Sequence, residues 1–144
     1  MFRRILIAWD GSAVSLRAFD LAIDLSRRYA SDLVAVSVAY SPAHAETHAD
    51  RQESAVAARR YLEQTFADHR DRAERAGVPV EHRVVEGDEP ADALLRHAQE
   101  HGFDLIVTGH HHAARAGRLL LRGLSERLIA LAEVPVLIVG ERGG

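Results

Sequence analysis

Five short apolar runs recur along this chain of 144 residues, and a helical pattern lies between each run and the next. The first, second and fourth runs are almost continuously apolar, which is typical of parallel strands buried on both faces. Strands that alternate with helices favour a right-handed, doubly wound parallel sheet. The sequence therefore predicts an α/β fold. The predicted strands are Arg4–Trp9, Leu33–Ala39, Val80–Val85, Leu105–Thr108 and Val134–Val139.

The helical segments between these runs have recognisable ends. Ser12 is expected to cap the first helix. A second helix is predicted from about Thr47 to Ala76, before a glycine that suits a helix end. The third opens with Asp88, Glu89 and Pro90, because proline suits a first helical turn, and it stops at Gly102. The fourth covers roughly Leu119 to Ala132. No linker or repeat interrupts the pattern, so we expect one domain over residues 1–144.

The composition excludes several classes of protein. The chain has no cysteine, which removes disulfides and thiolate zinc sites. All 18 basic residues are arginine, so the lysines of Walker-type phosphate loops, Schiff bases and kinase strands are absent as well. A net charge of -3 gives no electrostatic reason to expect nucleic acid binding, which favours a basic patch.

The start of the chain bears on where the protein is expected to work. Five apolar residues precede Asp10, too few for the apolar core of a signal peptide. No apolar run approaches the length that spans a bilayer. We therefore expect a soluble, cytoplasmic protein with no membrane partner.

Polar residues and glycines follow two of the predicted strands. Doubly wound sheets bind ligands beyond the carboxyl ends of the strands, where the strand order reverses. With the order 3-2-1-4-5, that point lies between strand 1, followed by Asp10, Gly11 and Ser12, and strand 4, followed by Gly109. Asp10 can accept hydrogen bonds from ribose hydroxyls or an adenine amino group. A plain strand-to-helix turn explains the tripeptide equally well.

A second group of candidates lies further along. Gly109 leaves room for the phosphates of a ligand to approach the backbone. Gly123, Leu124 and Ser125 lie at an expected helix start, where free N–H groups favour an anion. A turn and a helix cap are the alternative interpretation of both segments.

The histidines invite a metal interpretation, which their spacing disfavours. His110, His111 and His112 are consecutive, so their side chains diverge. His97 and His101 have helical spacing, but the intervening strand separates them from the triplet by roughly 20 Å. We predict no metal site, and we keep proton sensing by the triplet as a hypothesis, since histidine titrates near neutrality.

Four segments together resemble the universal stress protein family across essentially the whole chain. They are Ile5–Ser12, Val85–Ala91, Asp104–Gly109 and Val134–Val139. The resemblance implies an adenine-nucleotide α-hydrolase-like (Rossmann-like) three-layer sandwich with a five-stranded parallel sheet of order 3-2-1-4-5. It also implies a homodimer that pairs through the last strand, with Val134, Val136 and Ile138 at the interface.

Nucleotide-binding members of that family carry a glycine, two residues, a second glycine, nine residues, and then a glycine followed by serine or threonine. Here Gly109 matches the first position, whereas His112 replaces the second glycine and Arg122 the third, and Gly123 stands at the hydroxyl position. The bulk of Arg122 can block a triphosphate, or its guanidinium can bind phosphate in a bidentate manner.

Two further positions match those that contact ribose and adenine in nucleotide-binding relatives, namely Asp10 and Val38. The altered glycine motif predicts a non-enzymatic, dimeric stress-response or regulatory module with weak or absent ATP binding. The alternative is a true ATP- or adenylate-binding protein, with or without slow hydrolysis. No cofactor is certain, and ATP is the candidate. The predicted site residues are Asp10, Gly11, Ser12, Val38, Gly109, His112, Arg122, Gly123, Leu124 and Ser125.

Overall fold

A computed structural model describes residues 1–40, 48–111 and 123–141 of the chain. Helices and strands alternate through these ranges, and no helix within them is long and apolar enough to cross a membrane. The strands are β1 (Arg4–Ala8), β2 (Asp32–Tyr40), β3 (Val80–Gly87), β4 (Leu105–Gly109) and β5 (Val136–Val139). The helices are α1 (Ala13–Tyr29), α2 (His48–Ala67), α3 (Arg70–Arg75), α4 (Pro90–Glu100) and α5 (Leu124–Leu131).

The strands form one parallel sheet of order β3-β2-β1-β4-β5, which confirms the predicted topology. β1 lies at the centre and pairs with β2 on one side and β4 on the other. The strand order therefore reverses between β1 and β4. This is the place where the sequence predicts a ligand crevice.

Helices cover both faces of the sheet and create two apolar cores. One core packs α1, α2 and α3 against the sheet, with Phe19 and Phe66 around the buried Trp9. The other packs α4 and α5, with Leu94 and Leu128 fully buried. The three-layer arrangement expected from the sequence is thus confirmed.

The first helix begins as the sequence predicts. The Ser12 side chain accepts a hydrogen bond from the Ser15 N–H at 3.2 Å, so it caps α1. Phe19, Ala22 and Ile23 are then buried on one face, because they lie three and four residues apart along the helix. This cap fixes the start of α1 beside the end of β1, directly at the predicted crevice.

The prediction of one continuous second helix is wrong, because the segment forms two helices, α2 and α3. The N–H of His69 bonds to the carbonyl of Phe66, three residues back, and α2 ends there. No glycine or proline marks this break. The break instead coincides with a tertiary contact, because the centroid of the His69 ring lies 5.7 Å from that of the Trp9 ring.

Two further predictions concern the starts of the fourth helix and the last strand. Helix α5 begins at Leu124, because Gly123 before it has a left-handed backbone with φ of 71°, and positions 119–122 of the fourth predicted helix lie outside the described residues. The last strand begins at Val136, two residues later than predicted, after Pro135.

The two edges of the sheet differ. Side chains of Arg59 and Arg70, from α2 and α3, donate hydrogen bonds to the backbone carbonyls of Val84 and Val80 on β3. β5 pairs with β4 on one side, and its residues Val136, Leu137 and Ile138 are half-buried.

Candidate functional site

Two loops meet where the strand order reverses. Asp10 follows β1 and His111 follows β4, and the imidazole Nε2 lies 2.7 Å from the carboxylate Oδ2. Their side chains are only 3% and 6% exposed, for Asp10 and His111 respectively. The convergence that the strand order predicts is therefore present, and a buried carboxylate–imidazole pair forms it.

Ser12 completes this cluster from the first turn of α1. Its hydroxyl donates to Asp10 Oδ1 at 2.5 Å, and its backbone N–H donates to the same oxygen at 2.9 Å. The hydroxyl lies 3.5 Å from His111 Nε2. One oxygen of Asp10 is thus bonded by Ser12 and the other by His111.

The surroundings shift the pKa values of the two partners in opposite directions. Burial raises the pKa of Asp10, but hydrogen bonds from His111 and Ser12 outweigh burial and hold it below its ordinary value. The hydrogen bond to Asp10 raises the pKa of His111, and the charge of Glu141 adds to this effect. Both shifts favour an imidazolium paired with a carboxylate.

Two glycines of the predicted site have packing reasons for their lack of a side chain. Gly11 turns the chain with φ of 82°, and a Cβ there would lie 3.0 Å from the Thr65 hydroxyl of α2. A Cβ on Gly109 would lie 2.8 Å and 2.9 Å from the two methyl carbons of Val14. Gly109 thus allows β4 to lie against α1, a role that requires no ligand.

The start of α5 forms another wall near this end of the sheet. Gly123 occupies the N-cap position without a side-chain cap, while Leu124 and Ser125 are buried. His110 Nδ1 lies 3.9 Å from a carboxylate oxygen of Glu126, which connects this helix to the loop after β4. The first turn of α5 thus lies beside the histidine loop.

The remaining candidates do not join the cluster. The Val38 side chain is buried in the core under α4 and offers no surface to a ligand. His112 and Arg122 lie outside the described residues, as do the arginines at 115 and 118.

The other histidine pair lies elsewhere in the fold. The rings of His97 and His101 are 4.2 Å apart at the end of α4, which leads into the start of β4, whereas His111 follows the end of that strand. Among the described residues, no three histidine, cysteine, aspartate or glutamate side chains are grouped so that they could hold a metal ion.

Sequence reasoning did not assign a specific role to His111. A signal was present in the alternation of side chains along a strand. Val107 packs in the core beside α1, and the α-carbon of Gly109 faces Val14 of that helix. His111 continues this alternation by two residues and reaches Ser12 at the start of α1.

Comparison with known proteins identifies the family and the fold. The model of the universal stress protein family matches residues 1–140. The "Universal stress protein in QAH/OAS sulfhydrylase 3'region" of Thermus aquaticus is 32% identical over 139 residues, which cover 96% of this chain and 99% of the relative.

Solved structures show the same similarity. The crystal structure of a protein from the universal stress protein family of Burkholderia pseudomallei is 32% identical, has a TM-score of 0.77 and covers 94% of both chains. The crystal structure of a universal stress protein in complex with cAMP is 27% identical, with a TM-score of 0.71 and coverage of 96% of this chain and 97% of that one.

Proposed function

This chain belongs to the universal stress protein family, and from that premise we propose that it is a non-enzymatic, dimeric stress-response module with weak or absent ATP binding. Its cytoplasmic location stays a prediction of the sequence. The proposal depends on the state of Asp10, the residue that matches the ribose-contacting position of nucleotide-binding relatives.

The observation that carries the proposal is the His111 imidazole bonded to Asp10. This carboxylate is buried, and the His111 ring lies at its Oδ2, so a ribose hydroxyl can reach that oxygen only if the ring moves aside. Hydrogen bonds to charged groups contribute about 1.5–3 kcal/mol. Loss of one such bond on ligand entry weakens binding by roughly 10- to 150-fold.

The alternative function is binding of an adenine nucleotide, with or without slow hydrolysis. The relative in complex with cAMP, at 27% identity, supports this alternative. Asp10, Gly11 and Ser12 keep the arrangement of a strand-to-helix turn that faces the switch point. The two functions therefore differ in whether a ligand can displace His111 from Asp10.

The proposed dimer uses β5 as its interface. Val136 and Ile138 are half-buried on this edge strand, and so is Val134 in the segment just before it. Two large apolar side chains of α5 are exposed as well, Ile129 at 68% and Leu131 at 49%. An apolar edge strand is a ready template for pairing with another chain, and a second copy would cover it.

Calorimetric titration of the wild-type protein with ATP and magnesium tests the proposal, alongside mass analysis of any nucleotide released on denaturation. We expect no micromolar binding, no co-purified nucleotide and no release of phosphate above background. Micromolar affinity for ATP in the folded dimer would support the adenylate-binding alternative and overturn the proposed function.

A further inference from the structure

The His111 ring contacts the crevice through a single nitrogen atom. In the described part of the chain, the hydrogen-bond contacts found for this ring are both made by Nε2, with Asp10 at 2.7 Å and with Ser12 at 3.5 Å. The long second distance contributes little. The bond to Asp10 is therefore the main polar contact that holds the imidazole in the crevice.

The strength of that bond depends on the charge of the imidazole. A protonated ring forms an ion pair with the buried carboxylate in addition to the hydrogen bond, whereas a neutral ring donates the hydrogen bond alone, so the contact is stronger when the imidazole is charged. The hydrogen bond to Asp10 and the charge of Glu141 both raise the pKa of His111, against the opposing effect of burial. Other charged or titratable groups at this end of the sheet are Arg17 on α1, His110 after β4 and Glu126 on α5.

We propose that His111 and the ligand compete for Asp10, so that a neutral, hydroxyl-bearing ligand such as a nucleoside binds this crevice with release of one proton from His111. The inference rests on the proposed function, because it starts from the same Asp10–His111 pair that weakens nucleotide binding. It adds the chemical class of the ligand, a neutral molecule with hydroxyl groups, and it names His111 as the residue whose protonation state controls binding.

The expected pH dependence follows from proton linkage. Ligand entry breaks the bond to Asp10, so the pKa of the displaced imidazole falls back towards its ordinary value of about 6.5. Between that value and the raised pKa of His111 in the free protein, binding releases a proton, and affinity rises by up to about tenfold for each pH unit. Below this window the ring stays protonated in both states, and above it the ring is neutral in both, so affinity is constant on either side.

Titration with adenosine at a series of pH values, from about pH 5.5 to about pH 8.5, tests this inference across the histidine range. Adenosine offers the ribose diol without a phosphate, which a protonated histidine would attract. For wild type we expect an affinity that rises with pH and then levels off. An affinity that is flat or falls over this range would overturn the inference.

Two variants of His111 separate protonation from simple blockage. His111→Ala removes the competing side chain, so adenosine should bind at acid pH with little pH dependence. His111→Gln keeps a donor for Asp10 but cannot titrate, so its affinity should also be independent of pH. The control is His101→Gln on the distant α4 pair, which should retain the wild-type slope. Thermal melting of each variant confirms that it is folded.

The outcomes distinguish this inference from the function on which it rests. If His111→Ala fails to bind adenosine at every pH, or retains the wild-type slope, the inference is refuted and the module without ATP still stands. If wild type binds ATP at micromolar affinity, the proposed function fails. The adenosine slope then still decides whether His111 competes for Asp10.

Discussion

Substitution of Gly109 by alanine separates a packing role of this glycine from a ligand-binding role. The added Cβ would lie 2.8 Å and 2.9 Å from the methyl carbons of Val14, and 3.0 Å from its backbone carbonyl carbon. The methyl groups can rotate only within a buried helix face, and the backbone atom cannot move without shifting α1. Gly109→Ala should therefore destabilise the fold.

The size of the effect follows from these contacts. Overpacking of a tight core costs about 1–3 kcal/mol, and the backbone contact places Gly109→Ala near the upper end. Reduced freedom of the unfolded chain offsets about 0.4–1 kcal/mol of that cost. We expect a net loss of about 2 kcal/mol in the free energy of unfolding.

Urea unfolding followed by circular dichroism measures this loss against a matched control. Gly140 follows β5 as Gly109 ends β4, but a Cβ there would meet no atom within 4 Å. Gly140→Ala should leave stability unchanged or slightly higher. Val14→Ala should then partly rescue Gly109→Ala, with a coupling energy of about 1–2 kcal/mol in a double-mutant cycle. Equal stability of the two glycine variants would refute the packing explanation, and a loss confined to ligand affinity would restore the phosphate role.

Three further predictions concern assembly, acid stability and the start of the sheet. Val136→Lys should shift the mass measured by light scattering from dimer to monomer, whereas Val56→Lys on the exposed face of α2 should not; an unchanged mass for Val136→Lys would exclude the β5 interface. Burial and the nearby arginines disfavour the charged form of His82 and lower its pKa to about 4. The native state therefore binds fewer protons than the unfolded state, so the free energy of unfolding falls as the pH falls from about 6.5 towards 4. Because His82 is partly exposed, we expect this loss of unfolding free energy to be on the order of 1–2 kcal/mol, and we expect it to be absent in His82→Gln. Parallel curves of unfolding free energy against pH for wild type and His82→Gln would contradict the prediction. Asp104→Ala should cost about 1 kcal/mol in urea unfolding, because the carboxylate accepts the backbone N–H groups of Arg3 and Arg4, and Asp104→Asn should recover part of this; full stability of the alanine variant would show that these bonds contribute nothing.

The strand order and the layers were predictable from the sequence because burial on both faces requires nearly continuous apolar runs. β1 and β4 show this pattern, and both are completely buried but for Arg4. β3 gave the weakest signal for a physical reason. It is an edge strand whose Glu81 and Arg83 are exposed, so its apolar content is low.

The candidate site was predictable in position but not in detail. The topology brings the turn after β1 to the loop after β4, and a pattern of strands and helices is sufficient to infer that. The pairing of Asp10 with His111 depends on which of two adjacent histidines points inward, and on a distance of 2.7 Å that no spacing rule supplies. The break between α2 and α3 was hidden for a similar reason, since a tertiary contact of His69 accompanies it.

Arg59 of α2 and Arg70 of α3 bond to the backbone of the edge strand β3, and this contact bears on how copies of the protein could assemble. A parallel sheet with two open edges can add copies at both ends and grow into a polymer. Here the carbonyls of Val80 and Val84 already accept bonds from the chain's own arginines, so β3 is a poor template for a further strand. If copies pair through β5, the bonded carbonyls of β3 disfavour growth at the opposite edge, so we expect assembly to stop at a pair.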